Sequence, residues 1–232
     1  DGFYSKINLD GAGNVIYNEK FDENDVKRRN FLLLGLGFSF KANNNVELYS
    51  NISQNYRSVT FADISIINPA YAINPEIDDE KGYTFDLGFR GNINKKVSYD
   101  SNIFLLLYED RIGFIQKVFP DGNVKSERGN VGNARISGIE SLFDFDLNEI
   151  AFKNNFIDLN YYVNYSYINS KYLKSDEVGI EGNEVEFVPK HNLKTGVKFG
   201  YKNLSLNFQY SFVSNQFLSL IHISEPTRRI EI

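Results

Sequence analysis

Apolar and polar residues alternate along several stretches of this chain. Residues 204–212 (LSLNFQYSF) place an apolar side chain at every second position, with Ser, Asn and Gln between them. A period of two follows from the pleat of a β-strand, which sends successive side chains to opposite faces. We therefore predict a strand here with one apolar face and one polar face.

Seven further stretches are also predicted to be strands. Two of them, residues 31–40 and 97–108, are richer in apolar residues on both faces. None of the eight shows a sustained period of 3.6 residues, so the chain is predicted to be all-β. The seven stretches are residues 31–40, 46–57, 83–90, 97–108, 139–147, 157–167 and 192–201.

Short and long connections alternate between these strands. Such strict alternation predicts antiparallel up-and-down strands, with plain turns at one end of the sheet and long loops at the other. Outer-membrane barrels have this layout, whereas a soluble β-sandwich, the alternative, needs Greek-key crossovers. The short connections are residues 41–45, 92–96, 148–155 and 202–203, and the long ones are 58–82, 111–132 and 171–190.

The composition is consistent with a transmembrane β-barrel. Phe and Tyr number 20 and 15, and both suit strands. No apolar run approaches the roughly 18 residues that a helical membrane span needs. Asn, Ser, Gln, Gly and Tyr dominate the polar face, as expected for the interior of a barrel. We therefore predict that the apolar face contacts lipid.

Charge and rare residue types exclude several functions. The net charge of −5 gives no basis for nucleic-acid binding, and the absence of Cys excludes disulfides and thiolate metal sites. No nucleophile, base and orienting group occur together, so we predict no enzyme activity, no metal site and no covalently bound cofactor. The absence of Met leads us to expect that the chain begins inside a longer reading frame.

Three stretches carry a family resemblance: NYRSVTFADI (55–64), NPEIDDEKGYTFDLGFRG (74–91) and GNVGNARISGIES (129–141). They resemble the C-terminal part of the barrel in TonB-dependent outer-membrane receptors, closest to the ferric-citrate branch, over residues 1–217. The resemblance implies a barrel of about 22 strands. It also implies an N-terminal plug domain and a segment that engages the TonB complex. This chain would then be an open partial barrel of about nine strands from the bacterial outer membrane.

The implied function is TonB-dependent uptake of a ferric chelate such as ferric citrate. The alternatives are another cargo (a different siderophore, cobalamin or a glycan) or a passive porin-like channel. An anionic chelate calls for arginine forks and amide donors near the long loops. We predict Arg57 and Asn55 as ligand contacts, and Arg111 and Arg128, which flank the next long loop, as residues that clamp the ligand. The alternative for each arginine is a solvated or ion-paired loop charge.

Other charged residues receive different interpretations. Arg90, Asp158 and Lys198 lie nearer the short turns and are predicted to face the plug domain. The acidic run at residues 78–80 lacks the spacing of a calcium loop and is predicted to be a hydrated loop edge.

The end of the chain breaks the alternation. Residues 218–228 (LSLIHISEPTR) back-translate without a gap to a transposase adapter used in sequencing libraries. A natural polar C-terminus is the alternative. We expect the native sequence to stop near Phe217, with residues 218–232 as adapter read-through that does not join the sheet.

Overall fold

The computed structural model describes residues 5–9, 15–20, 32–64, 68–152, 156–177 and 179–217 of the 232-residue chain. The predicted adapter sequence at residues 218–232 lies outside these ranges. Within them, no helix is long and apolar enough to cross a membrane.

The described residues form eleven strands and two short helical segments. The helical segments are α1 (Phe61–Ile64) and a π-helical turn (Asn148–Phe152). The strands are β1 (Ser5–Leu9), β2 (Val15–Lys20), β3 (Gly35–Asn43), β4 (Val46–Arg57), β5 (Tyr71–Ile73), β6 (Glu80–Ile93), β7 (Val97–Val118), β8 (Val124–Asp146), β9 (Ile157–Lys174), β10 (His191–Tyr201) and β11 (Leu204–Val213).

Nine strands form one open sheet, and eight of them follow the order β11-β10-β9-β8-β7-β6-β4-β3. Every neighbouring pair on this path is antiparallel. The ninth strand, β5, lies off the path and pairs with β8 in parallel, while β1 and β2 form a separate pair. The predicted all-β, antiparallel and open architecture is therefore confirmed, and β5 is an addition inside a predicted loop.

The register keeps apolar side chains on one face across neighbouring strands. In β10 and β11, for example, Leu193 lies opposite Phe212 and Val197 lies opposite Phe208. Phe208 is 68% exposed, and Leu206, Tyr210 and Phe212 are also exposed, as predicted. The apolar face thus has no protein layer over it within the described residues.

The prediction of a long loop at residues 111–132 is wrong. The structure extends β7 and β8 as one hairpin that pairs as far as Val118 and Val124. A tight turn closes it, with Phe119 N donating to Asn123 O at 2.9 Å and Gly122 at φ +79°. Pro-Asp-Gly is a turn signature, and it explains why this connection is short.

A bulge marks the point where this hairpin leaves the regular sheet. The β7–β8 register shifts between Tyr108 and Arg111, and Asp110 has a φ of +54°. Two asparagines fix the bulge: Asn133 Oδ1 accepts from Asp110 N at 3.1 Å, and Asn130 Nδ2 donates to Asp110 O at 2.6 Å. A Cβ at Gly132 would lie 2.2 Å from Lys174 O, so the neighbouring strand requires glycine there. The quoted motif at residues 129–141 therefore builds this bulge.

Buried apolar side chains concentrate at the end of the sheet that carries the long connections. They come from the β7–β8 hairpin, from β9 and from the β9–β10 connection, and we call them the rim core. Its members are Ile115, Val131, Ala134, Tyr172, Ile180 and Val185. The connection at residues 179–188 is therefore packed onto the hairpin.

A candidate ligand site at the long-connection end

Three arginines predicted as ligand contacts converge on one cavity. Arg57 ends β4, Arg111 lies just past the bulge in β7, and Arg128 lies in the extended part of β8. All three line a cavity of about 590 Å³, which we call the arginine cavity. Glu80, Glu186 and Phe114 contribute to the same wall.

Arg57 is ion-paired on two sides. Its Nη2 donates to Asp63 Oδ1 at 2.9 Å and to Oδ2 at 3.2 Å, while Nη1 lies 3.7 Å from Glu80 Oε2. Arg57 and Glu80 are direct partners in the β4–β6 register, which places them on the same face. The guanidinium is thus held at the end of the sheet, with its side chain 40% exposed.

Arg128 approaches the same carboxylate from another strand. Its Nη2 and Nε donate to Asp63 Oδ1 at 2.6 and 3.2 Å. Its guanidinium also lies over the Phe114 ring, 4.5 Å from the centroid. Such stacking orients the planar guanidinium, so two arginine forks point at one carboxylate.

Arg111 belongs to a separate cluster. Its Nη1 donates to Tyr172 Oη at 2.6 Å and to Glu186 Oε2 at 3.0 Å, and Tyr172 Oη donates to Glu186 Oε2 at 2.9 Å. Tyr172 and Glu186 are both buried, so this triad links the cavity wall to the rim core.

Asp63 is the buried centre of the first cluster. It is only 3% exposed, and Thr60 N and Oγ1 donate to its Oδ2 at 2.9 and 2.7 Å. Burial by itself would raise the pKa of this carboxyl. The hydrogen bonds from Thr60 and Arg128 and the charge of Arg57 outweigh it and hold the pKa well below its ordinary value.

The acidic run at residues 78–80 is only partly a hydrated edge. Asp78 is exposed, but Glu80 is buried, and its Oε2 accepts from Ile112 N at 2.9 Å. Asp79 accepts from Val59 N at 2.9 Å and from the Tyr56 hydroxyl. The prediction is wrong for Glu80, because this residue begins β6 and its carboxylate is bonded to the backbone of β7.

Asn55 lies on the same face but does not line the arginine cavity. Its Nδ2 donates to Thr84 Oγ1 on the neighbouring strand. A role for Asn55 in ligand contact stays a prediction.

The three residues predicted to face a plug domain lie on the polar face, away from the arginine cavity. Arg90 pairs with Glu47 at 3.1 Å and lies over the Tyr49 ring, and it lines a second cavity of about 590 Å³ near the short turns. Lys198 Nζ lies 5.3 Å from the centroid of the Tyr162 ring, and Asp158 accepts from Asn160 at 2.7 Å. Their predicted role stays a prediction.

The carboxylate partners of the arginines were not predicted from the sequence. Asp63 and Glu80 stand inside two of the motifs that carry the family resemblance, and this was the available signal. Glu186 lies 75 residues from Arg111, in a connection without a recognisable pattern. As for metals, no three His, Asp or Glu side chains in the described ranges are grouped so as to hold an ion.

Comparison with known proteins identifies the family. The family model described as "TonB dependent receptor-like, beta-barrel" matches residues 4–221. The chain therefore belongs to the TonB-dependent receptors and represents part of their β-barrel. Among curated proteins, none matches it.

Solved structures of this class share the fold. The ferric citrate transporter FecA in its unliganded form is 22% identical, with a TM-score of 0.59 over 79% of this chain and 25% of that chain. The copper transporter OprC is 17% identical, with a TM-score of 0.60 over 79% and 26%. BauA, the ferric preacinetobactin receptor from Acinetobacter baumannii, is 18% identical, with a TM-score of 0.53 over 80% and 26%. The chain spans about a quarter of the length of each.

Proposed function

We propose that this chain is part of the barrel wall of an outer-membrane receptor that takes up an anionic ferric chelate, such as ferric dicitrate. Uptake is driven through the TonB complex, with a plug domain inside the barrel and lipid against the apolar face. The arginine cavity is the observation that carries the proposal. Three guanidinium groups at one end of the polar face match the charge and the carboxylate oxygens of such a ligand.

The exposed apolar face supports the membrane part of the proposal. Leu87, Ile103 and Ile139 are exposed on the neighbouring strands β6, β7 and β8. Phe208 is exposed on β11, and exposed Tyr residues accompany these side chains. A barrel wall meets lipid with such a face, whereas a water-soluble protein rarely exposes a continuous apolar patch of this kind.

Equilibrium titration of ferric dicitrate into the full-length receptor tests the ligand. We expect Arg57→Ala to weaken binding by about 1.5–3 kcal/mol, the typical contribution of a charge-assisted contact. Arg90→Ala is the matched control, because Arg90 lies on the same face near the short turns. Unchanged affinity in Arg57→Ala, or an equal loss in Arg90→Ala, would remove the arginine cavity from the binding site.

Two further results would point to the alternatives. Binding of a different siderophore, cobalamin or a glycan in place of ferric dicitrate would keep the transport class and change the cargo. Uptake that persists without TonB would indicate a passive porin-like channel.

A further inference from the structure

Asp63 accepts hydrogen bonds from two of the three arginines that line the arginine cavity. Its Oδ1 accepts hydrogen bonds from Arg57 at 2.9 Å and from Arg128 at 2.6 Å. The two arginines come from β4 and β8, so the carboxylate bridges two parts of the sheet. A carboxylate held between two arginine forks is also how a protein binds an anionic ligand.

The two sides of this contact are carried by different kinds of element. The arginines extend from long strands of the nine-stranded sheet, and Arg128 is further oriented by the Phe114 ring. Asp63 lies in the four-residue α1, within a connection. In the segment before α1, Val59 N donates to Asp79 and Thr60 N donates to Asp63 itself. The carboxylate is therefore on a short helix in a connection, and the arginines are on long strands of the sheet.

The charges of this cluster determine which anions can bind to the two arginines. An arginine pair open to water attracts any small anion, including chloride and phosphate. Asp63 compensates one of the two positive charges, and Glu80, 3.7 Å from Arg57, compensates the other. A competing anion must therefore displace a carboxylate that accepts six hydrogen bonds. A ligand that carries several carboxylates displaces Asp63 more readily than a simple anion does, because once one carboxylate has bound, the others bind at a high effective concentration.

We propose that Asp63 is an internal competitor, which fills the Arg57–Arg128 site in the empty receptor and is displaced when a carboxylate of the chelate binds. This inference rests on the proposed function and adds that the ligand must be a polycarboxylate. It also implies that binding moves α1. The apparent affinity is then the intrinsic affinity of the arginines multiplied by the fraction of receptor in which Asp63 has withdrawn from them.

Glu186 does not have the same role. It also contacts an arginine, but Tyr172 Oη donates to it at 2.9 Å and its neighbour Val185 is fully buried in the rim core. Its carboxylate is fixed by the fold, so we assign competition to Asp63 alone.

Asp63→Asn in the full-length receptor tests the inference, with ferric dicitrate as the probe. Asn keeps the size and one acceptor oxygen but removes the charge that competes. We expect Kd to fall by about five- to fiftyfold, within the usual range of a coupling between a site and a conformational change. The matched control is Asp86→Asn, which removes the same charge from the same face at a position where Asp86 contacts Asn51.

The outcomes separate this inference from the proposed function. Unchanged or weaker binding in Asp63→Asn, or an equal tightening in Asp86→Asn, would overturn the competitor role while wild-type binding leaves the proposed function intact. Absence of ferric dicitrate binding in the wild type and in Asp63→Asn would overturn both. Should Asp63→Asn not fold, Thr60→Val removes one donor to Asp63 Oδ2, and the same direction with a smaller change is expected.

Discussion

The body of the sheet and its long-connection end are stabilised in different ways. In the body, β10 and β11 expose apolar side chains such as Leu206 and Phe208 on one face and polar side chains on the other. At the long-connection end, side chains from the β7–β8 hairpin and the β9–β10 connection bury one another in the rim core. The rim thus contains its own hydrophobic partners, whereas the described residues leave the apolar face of the body uncovered.

This contrast bears on where a ligand site can be built. A site must hold its side chains in fixed positions, and packed surroundings provide that better than an open wall. The arginine cavity lies against the rim core: Tyr108 and Ile136 line the cavity and also pack on the rim core, and Arg111 donates to the Tyr172 hydroxyl. The described residues at the other end hold Arg90 mainly through Glu47 and Tyr49.

The largest expected effect concerns the rim core. Tyr172 is 1% exposed, and Tyr172→Ala should cost about 3–5 kcal/mol of local stability through lost burial and a cavity. Hydrogen–deuterium exchange of the full-length receptor should show faster exchange for residues 179–188. Tyr172→Phe, which keeps the ring, should have a smaller effect. If exchange at these residues is already complete in the wild type, the rim has no core of its own.

The second effect concerns the body of the sheet and its two faces. Val163 lies on the apolar face of β9 and Asn164 on the polar face. In a lipid-embedded wall, Val163→Arg should cost on the order of 2–4 kcal/mol, and Asn164→Arg much less. Folding of the full-length receptor into lipid vesicles measures both. Equal costs would mean that the apolar face does not meet lipid.

The same contrast explains how far the sequence predicts the fold. A strand was predicted at residues 204–212, and β11 spans Leu204–Val213. The prediction succeeds here because the alternation is strict where one face must stay apolar. For β7 the prediction stopped at Tyr108, whereas the strand reaches Val118. Beyond the bulge the hairpin packs on a connection rather than presenting a regular apolar face, so the alternation that marked the other strands is lost.

The candidate site could be predicted only on its cationic side. Arginines near long loops are recognisable from chemistry and position, and the structure brings Arg57, Arg111 and Arg128 together. Their partners depend on tertiary contacts that no local pattern encodes: Arg128 and Asp63 are 65 residues apart. The pairing of charges is therefore a finding of the structure.

A smaller effect is expected at an ion pair on the surface of the rim. Lys117 Nζ lies 3.0 Å from Glu127 Oε2, with the lysine side chain 44% exposed. Lys117→Met should cost about 1 kcal/mol: water and salt screen the exposed lysine, but the buried Glu127 carboxylate, 4% exposed, loses a partner. Chemical denaturation at low and high salt measures the difference from the wild type, which should shrink as salt rises. A larger, salt-independent loss would place Lys117 in the rim core rather than at its edge.

The smallest expected effect is the response of the Asp63 cluster to mild acid. Its hydrogen bonds and arginine partners hold the pKa of Asp63 well below the ordinary 3.8. A carboxyl with a depressed folded-state pKa stabilises the fold above its unfolded pKa, and this stabilisation is lost as the pH falls through the folded value. The difference in unfolding midpoint between wild type and Asp63→Asn should therefore stay constant from about pH 7 to about pH 5 and shrink below about pH 4. A difference that vanishes between pH 7 and pH 5 would show that the arginines do not hold this carboxylate in its charged form. The ion pairs of Asp63 with Arg57 and Arg128 would then not join α1 to the sheet.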